Sequence, residues 1–453
     1  MPNIRSVVAA ATTAVAFGAG AAVVLVGNVG LTLAAPSVST VVEPVAVSRN
    51  LVCAGDVLGA AGDGSGWYVM ANTTVKISGG SASGELTNDT TTNGTVVSYD
   101  TTPDAVAATE SSSAKTDAVA GYLAAECGDP TNSQWLVGGS TMTGRDGVVT
   151  ISNAGSVDAT VDLEFWGADG PISAPAASGL VIPGHSQKSY SLAGFVPNEA
   201  SPVVHVTSNG AAVWSTLQVS TIRGLTPSGL DRITGVSGPS TSVAVPVVRE
   251  PSEAEIGALR SGVDTGDLGT SLRLLAPGDT DTVASISIVM HDGSAPVELQ
   301  AELKAGSVFE VPLEELATGD FSVFVTSPEP VLASVRFSSH STSSSVTDFA
   351  WATGVPATIG PATGYSPASD STLAISNPGD SAISVTIVAS GQEATVNIPA
   401  MSTQAVIVGR GVVRVEGDEP FAASLLAETA RGVAVVKLPT EPLGARSVTV
   451  IAH

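Results

Sequence analysis

One arrangement of residues occurs three times along this chain, and it limits the possible fold more than any other feature. The first copy opens with Val149-Thr150-Ile151-Ser152-Asn153-Ala154-Gly155, the second with Leu272-Arg273-Leu274-Leu275-Ala276-Pro277-Gly278, and the third with Leu373-Ala374-Ile375-Ser376-Asn377-Pro378-Gly379. Each is an apolar run that enters a tight turn. Pro presets φ and Gly accepts φ > 0, so a type II turn with positive φ at Gly155, Gly278 and Gly379 is expected. Each copy resumes in a segment of period two: Thr160-Val161-Asp162-Leu163-Glu164-Phe165, Ser285-Ile286-Ser287-Ile288-Val289 and Ser384-Val385-Thr386-Ile387-Val388. Such alternation builds strands with one buried and one wet face. A second turn recurs as Ile182-Pro183-Gly184-His185-Ser186, Leu303-Lys304-Ala305-Gly306-Ser307 and Ile398-Pro399-Ala400-Met401-Ser402, and a hairpin closes each copy.

About six short antiparallel strands per copy make a compact immunoglobulin-like β-sandwich. The expected fold is therefore all-β: tandem immunoglobulin-like β-sandwich domains after a single N-terminal transmembrane or signal helix. The segments are an N-terminal membrane segment (1–35), a linker (36–48), a disulfide-closed β unit outside the repeat (49–134), and sandwiches over 135–238, 239–356 and 357–453. Each copy carries its own alternating faces, so modest interfaces between domains are expected. The loop from Glu250 to Gly269 has room for a short helix at Ser252 to Arg260.

The N-terminus sets the compartment. Arg5 is the sole charged side chain before Glu43, and residues 7–35 carry none. As a helix that stretch would be about 44 Å long, enough for a bilayer core. Arg5 and the free amine stay inside, so everything after residue 35 lies outside the cytoplasm. The protein is then single-pass on the extracytoplasmic face of the cell membrane, or secreted after cleavage near Leu33-Ala34-Ala35. The apolar run is longer than a usual signal-peptide core, which favours retention. Cys53 and Cys127 are the two cysteines, and an oxidising compartment favours their pairing. A lipid-attachment role for Cys53 is the weaker alternative, because Glu43 and Arg49 separate it from the apolar run.

The net charge of −24 excludes a polyanionic partner such as nucleic acid. No catalytic constellation, cofactor site or metal site is legible. His185, His205, His291, His340 and His453 form no zinc-protease pair. No Gly-x-Ser-x-Gly elbow exists, and Gly62-Asp63-Gly64-Ser65-Gly66 lacks the Lys-Ser/Thr ending of a phosphate loop. Asp279-x-Asp281 supplies too few oxygens for a calcium loop. Trp135, Trp166, Trp214 and Trp351 read as core anchors before they read as sugar-stacking platforms.

In Cys53, Cys127, Trp135-Leu136-Val137-Gly138-Gly139-Ser140 and Ile151-Ser152-Asn153-Ala154-Gly155, the chain resembles an uncharacterised family of secreted or membrane-anchored actinobacterial proteins. The resemblance implies an envelope setting and carries no activity or functional residues. The expected role is a non-enzymatic cell-envelope protein, anchored to the cytoplasmic membrane by its N-terminal helix. Its sandwiches would act as scaffold or binding module for a cell-wall polymer or envelope protein. The alternatives are an extracellular accessory subunit of a membrane enzyme of envelope glycan synthesis, and an enzyme acting on glycans or peptides.

Overall fold

A computed structural model describes residues 38–42, 49–61, 66–88, 94–99, 106–260, 264–313, 316–439 and 448–452. The expected membrane segment and the cleavage site near Ala35 lie outside these residues. Two compact units result. The smaller is a terminal pair: Val38–Val42 runs antiparallel to Val448–Ala452. The segment expected to be a linker therefore contains a strand, and the last strand of the chain pairs with it rather than completing the third sandwich. The larger unit runs from Val45 to Gly444 and holds all three repeats.

Alternation becomes burial as expected. In Ala159–Gly167 the side chains Val161, Leu163 and Phe165 are buried while Thr160 and Glu164 face water. The first repeat pairs Ser133–Val137, Val203–Gly210, Ala159–Gly167 and Gly170–Ile172 in one sheet. The opposing sheet contains Thr226–Thr234, Trp214–Arg223, Arg145–Asn153 and Ser186–Ser191, and it continues through a parallel pairing into strands Ser81–Asn88, Gly94–Tyr99 and Arg49–Cys53. Thus segment 49–134 shares a sheet with the first repeat. In the second repeat the long strand Gly319–Ser341 serves both layers. The third repeat has two four-stranded sheets.

The turn at Gly155, Gly278 and Gly379 is built differently from the expectation, because none of the three has positive φ. Asn153 Oδ1 accepts the Gly155 N–H at 2.9 Å, and Asn377 Oδ1 accepts the Gly379 N–H at 2.9 Å. In the first and third copies an Asn side chain replaces the backbone acceptor of a β-turn, so no left-handed residue is needed; the second copy has Ala276 there and also lacks positive φ. The left-handed position lies in the facing turn, at His185 (φ 55°), Gly306 (φ 69°) and Met401 (φ 47°). Those residues donate N–H to Gly155 O, Ala276 O and Gly379 O, closing one turn against the other.

Each unit ends in a strand at the edge of its sheet: Ala120–Glu126, Thr226–Thr234, Val346–Thr353 and Gly432–Lys437. These four closing strands pack side by side in a ring. Each feeds the core of another unit. The first repeat's core includes Phe349 and Trp351 of the second; the second's includes Val433 and Val435 of the third. The third's core includes Tyr122 and Ala124 of the leading unit, whose own cluster takes Leu230 from the first repeat. The expected modest interfaces are replaced by interlocked cores. Segment 49–134 lacks the marks of the repeat, yet it supplies the fourth member of the ring. Its disulfide, Cys53 to Cys127 with Cα atoms 4.4 Å apart, ties its opening strand to the end of its closing strand.

Asp348 stands at the centre of the ring. Its carboxylate accepts N–H bonds from Tyr122 (2.9 Å), Leu230 (2.9 Å) and Val433 (3.0 Å), one from each of the other closing strands. Gly121, Gly229 and Gly432 immediately precede these donors, and a Cβ on any of them would collide with Asp348 or Phe349. Five residues further along, Lys437 Nζ donates to Thr234 O (3.0 Å) and Gly235 O (2.8 Å) and stands 3.4 Å from Glu126 Oε1. Replacing Asp348 by Ala strands three buried N–H groups, and a loss of about 3–5 kcal/mol is expected from denaturant unfolding of the body. In the turns, Gly306→Val is expected to cost about 1–3 kcal/mol. Gly278→Val, with open space around it, is expected to stay within about 0.5 kcal/mol. Equal effects would show that the left-handed position had been misplaced.

Candidate functional site

A cleft of about 520 Å³ opens between the first and second repeats, where the first repeat's borrowed core reaches the surface. Its walls come from the loop after Ser133–Val137, the loop before Ser271–Leu275, and one face of the second repeat's sheet. Register explains that face: Arg273 lies opposite Glu310 and Ser334, while Arg336 lies opposite Ser271 and Trp351. Cross-strand partners share a face, so two arginines, a glutamate and an aromatic ring meet there.

The arginines are deeply set. Arg273 lies 4.5 Å over the Trp351 ring and Arg336 lies 4.7 Å over Phe349. A desolvated cation on an aromatic face gains about 2 kcal/mol, which offsets part of the burial cost. Arg273 Nε donates to Glu310 Oε1 at 2.6 Å, and its Nη1 donates to Gly139 O (3.0 Å) and Pro202 O (2.8 Å). Arg336 Nη1 donates to the Asp267 carbonyl. Arg336 Nη2 makes no hydrogen bond, although Asp267 Oδ2 stands 3.3 Å away. Arg145 donates through Nε to Asp267 Oδ2 (2.9 Å) and grips Asp264 with Nη1 (2.5 Å) and Nη2 (3.1 Å). Arg223 Nη1 reaches Asp267 Oδ1 at 2.5 Å.

Charge states follow from these contacts. Burial alone would raise the Asp267 carboxyl, but Arg336, Arg145 and Arg223 outweigh it and hold it at about 2. Glu310 is likewise pushed up by burial and brought below its usual range by Arg273. The hydrogen bonds from Arg145 lower Asp264. Burial lowers Arg336 to about 10 against the pull of Asp267. Asp146 also lines the cleft, and burial raises it. Four guanidinium groups therefore face three carboxylates held ionised, in a chain whose net charge is −24.

None of these residues stood out in the sequence, because arginines at 145, 223, 273 and 336 share no spacing. A retrospective signal exists: Arg273 occupies a strand position held by Thr150 and Ala374 in the other copies. The tryptophans Trp135, Trp214 and Trp351 are buried, and Trp166 is half-buried. Among the described residues no group of His, Cys, Asp and Glu is placed to hold a metal ion. Asp281 Oδ1 instead accepts the Ala305 N–H at 2.8 Å. His453 lies outside the described residues.

A second cluster lies on the outer face of the first repeat. His205 Nε2 is 2.9 Å from Ser133 Oγ, and its Nδ1 is 3.0 Å from Glu164 Oε2. This is the order of a hydrolytic triad. The Ser133 amide is already bonded to Thr131 Oγ1 at 3.1 Å, so the nucleophile's own N–H is not free for an oxyanion. The His205 ring stacks on Trp135 with centroids 4.1 Å apart, as a cross-strand aromatic pair would.

Residues 83–409 match the model of a family of unknown function, DUF5719. The chain belongs to that family. No curated protein matches it. Among solved structures, the FN1–FN3 domains of chicken CNTN1 are 10% identical, with a TM-score of 0.12. That match covers 72% of this chain and 99% of the CNTN1 chain.

Asp231 gives the region a pH dependence. It accepts N–H bonds from Trp351 (2.7 Å) and Arg232 (2.8 Å). Burial raises it to about 7 despite these bonds and the charges of Arg232 and Arg336. The folded value stands above that of an unfolded aspartate, so the protonated form favours the fold. That contribution is complete below about pH 4 and is lost as pH rises towards 7. Asp348 shifts the same way through burial. Stability is expected to fall by on the order of 2 kcal/mol from pH 5 to pH 8, and Asp231→Asn is expected to flatten that slope in thermal melts.

Proposed function

We propose that this chain is a non-enzymatic binding and scaffold protein of the cell envelope. Residues 7–35 hold it at the extracytoplasmic face of the membrane, and immunoglobulin-like sandwiches form its working body, which engages a wall polymer or a partner protein. One observation carries the reading: the four closing strands interlock around Asp348. Beads on flexible linkers would leave the space between sandwiches undefined. Here two sandwiches share a core, so the cleft between them keeps one shape. A preorganised cleft lined by fixed polar groups is what a binding protein needs. The disulfide fits an oxidising compartment.

The test has two parts. Protease added outside intact cells is expected to digest the chain while an N-terminal fragment stays with the membranes; recovery of the intact chain in the cytosol would overturn the reading. Purified full-length protein is expected to co-sediment with isolated cell wall and to release no soluble glycan or peptide from it. Turnover that disappears in Ser133→Ala would instead assign hydrolysis to the Ser133–His205–Glu164 cluster.

A further inference from the structure

We propose that the cleft between the first and second repeats binds a small organic oxyanion, carboxylate or phosphate, which pairs with Arg145 in place of Asp264 while its apolar part rests on Met142. This names a ligand class for the cleft and rests on the reading of the chain as a binding protein. Arg273 is tied to Glu310 and to backbone carbonyls, and both it and Arg336 are buried over aromatic rings. Asp267 is shared by Arg145, Arg223 and Arg336. These groups form the floor.

Asp264 differs from them. Its side chain is 45% exposed, whereas that of Arg145 is 10% exposed. It sits in a loop with φ 55°, in the left-handed region that costs a non-glycine residue free energy. It grips Arg145 through two parallel N–H···O bonds, the fork that guanidinium offers to any carboxylate or phosphate. Asp264 is the exposed partner, so water screens it and rehydrates its carboxylate once it leaves, and exchanging it for a guest anion loses little. What the guest gains is field. With Asp264 displaced, Arg145, Arg273 and Arg336 line the cleft against Asp146, Asp267 and Glu310, Arg223 stands behind Asp267, and the fork of Arg145 is left without its partner. Met142 lines the cleft and is exposed, which selects for an anion with a carbon frame over a bare ion.

Titration calorimetry on the purified full-length chain tests this with succinate, inorganic phosphate and neutral succinamide as probes. Succinate or phosphate is expected to bind and succinamide is not; which anion binds more tightly separates a carboxylate from a phosphate ligand. Asp264→Asn is expected to tighten binding about threefold or more, because the competitor is weakened while the floor is untouched. Arg145→Gln is expected to weaken it about tenfold or more. A gain in Asp264→Asn cannot come from misfolding, so the proposal stays testable if Arg145→Gln fails to fold. No heat with either anion up to about 10 mM in wild type and Asp264→Asn, equal binding in both, or equal binding of succinamide would each overturn it. Loss of wall co-sedimentation with anion binding intact would count against the proposed function alone.

Discussion

The structure depends on one buried carboxylate that accepts hydrogen bonds from three other strands. Asp348 gathers the amides of Tyr122, Leu230 and Val433, each from a closing strand that is the edge of its own sheet. An edge strand left open presents unpaired N–H groups to any passing chain. Ring closure covers four such edges at once. It also explains three glycines, since Gly121, Gly229 and Gly432 leave the space that the Asp348 side chain occupies. In the alignment of the four closing strands, Asp348 itself stands where the other three have glycine. The symmetry of the ring is broken at one position, by the residue that holds the ring together.

The same interlock creates the cleft and makes its chemistry costly. Phe349 and Trp351 are core residues of the first repeat on one side and supports for Arg336 and Arg273 on the other. Buried guanidinium groups are expensive unless every donor is met. Arg273 meets that condition through Glu310 and the carbonyls of Gly139, Pro202 and Ala200. Arg336 does not fully meet it. A fold that needed only stability would do as well with apolar residues there.

The turn at Asn153 shows how a correct pattern can be assigned the wrong mechanism. A Gly-containing turn follows the first strand of each copy, with Asn153 and Asn377 before it in two copies and Ala276 in the other, and the turns recur in equivalent places. By dihedral preference alone, a Pro-Gly or Ala-Gly step predicts a type II turn. In the first and third copies the Asn side chain supplies the acceptor, and in all three copies the left-handed residue lies in the facing turn, at His185, Gly306 and Met401. Dihedral preference is local, whereas that hydrogen bond is chosen by what lies across the sandwich: Asn153 Nδ2 also donates to Ile182 O at 3.0 Å, and Asn377 Nδ2 donates to Ile398 O at 3.0 Å.

The sequence by itself determined the strand content, the threefold repeat, the alternating faces and the Cys53–Cys127 bond. Each follows from spacing along the chain: period two for strands, Gly and Pro for turns, and a single possible cysteine pairing. Only the tertiary structure decided the ring and the cleft. The leading unit joins the ring without sharing the repeat's motif, because what it contributes is one strand with a glycine at the right height. Arg145, Arg223, Arg273 and Arg336 lie in two different repeats, and nothing in their spacing connects them. They meet because each core is completed by another unit's strand, and contacts between such distant segments leave no periodicity to read.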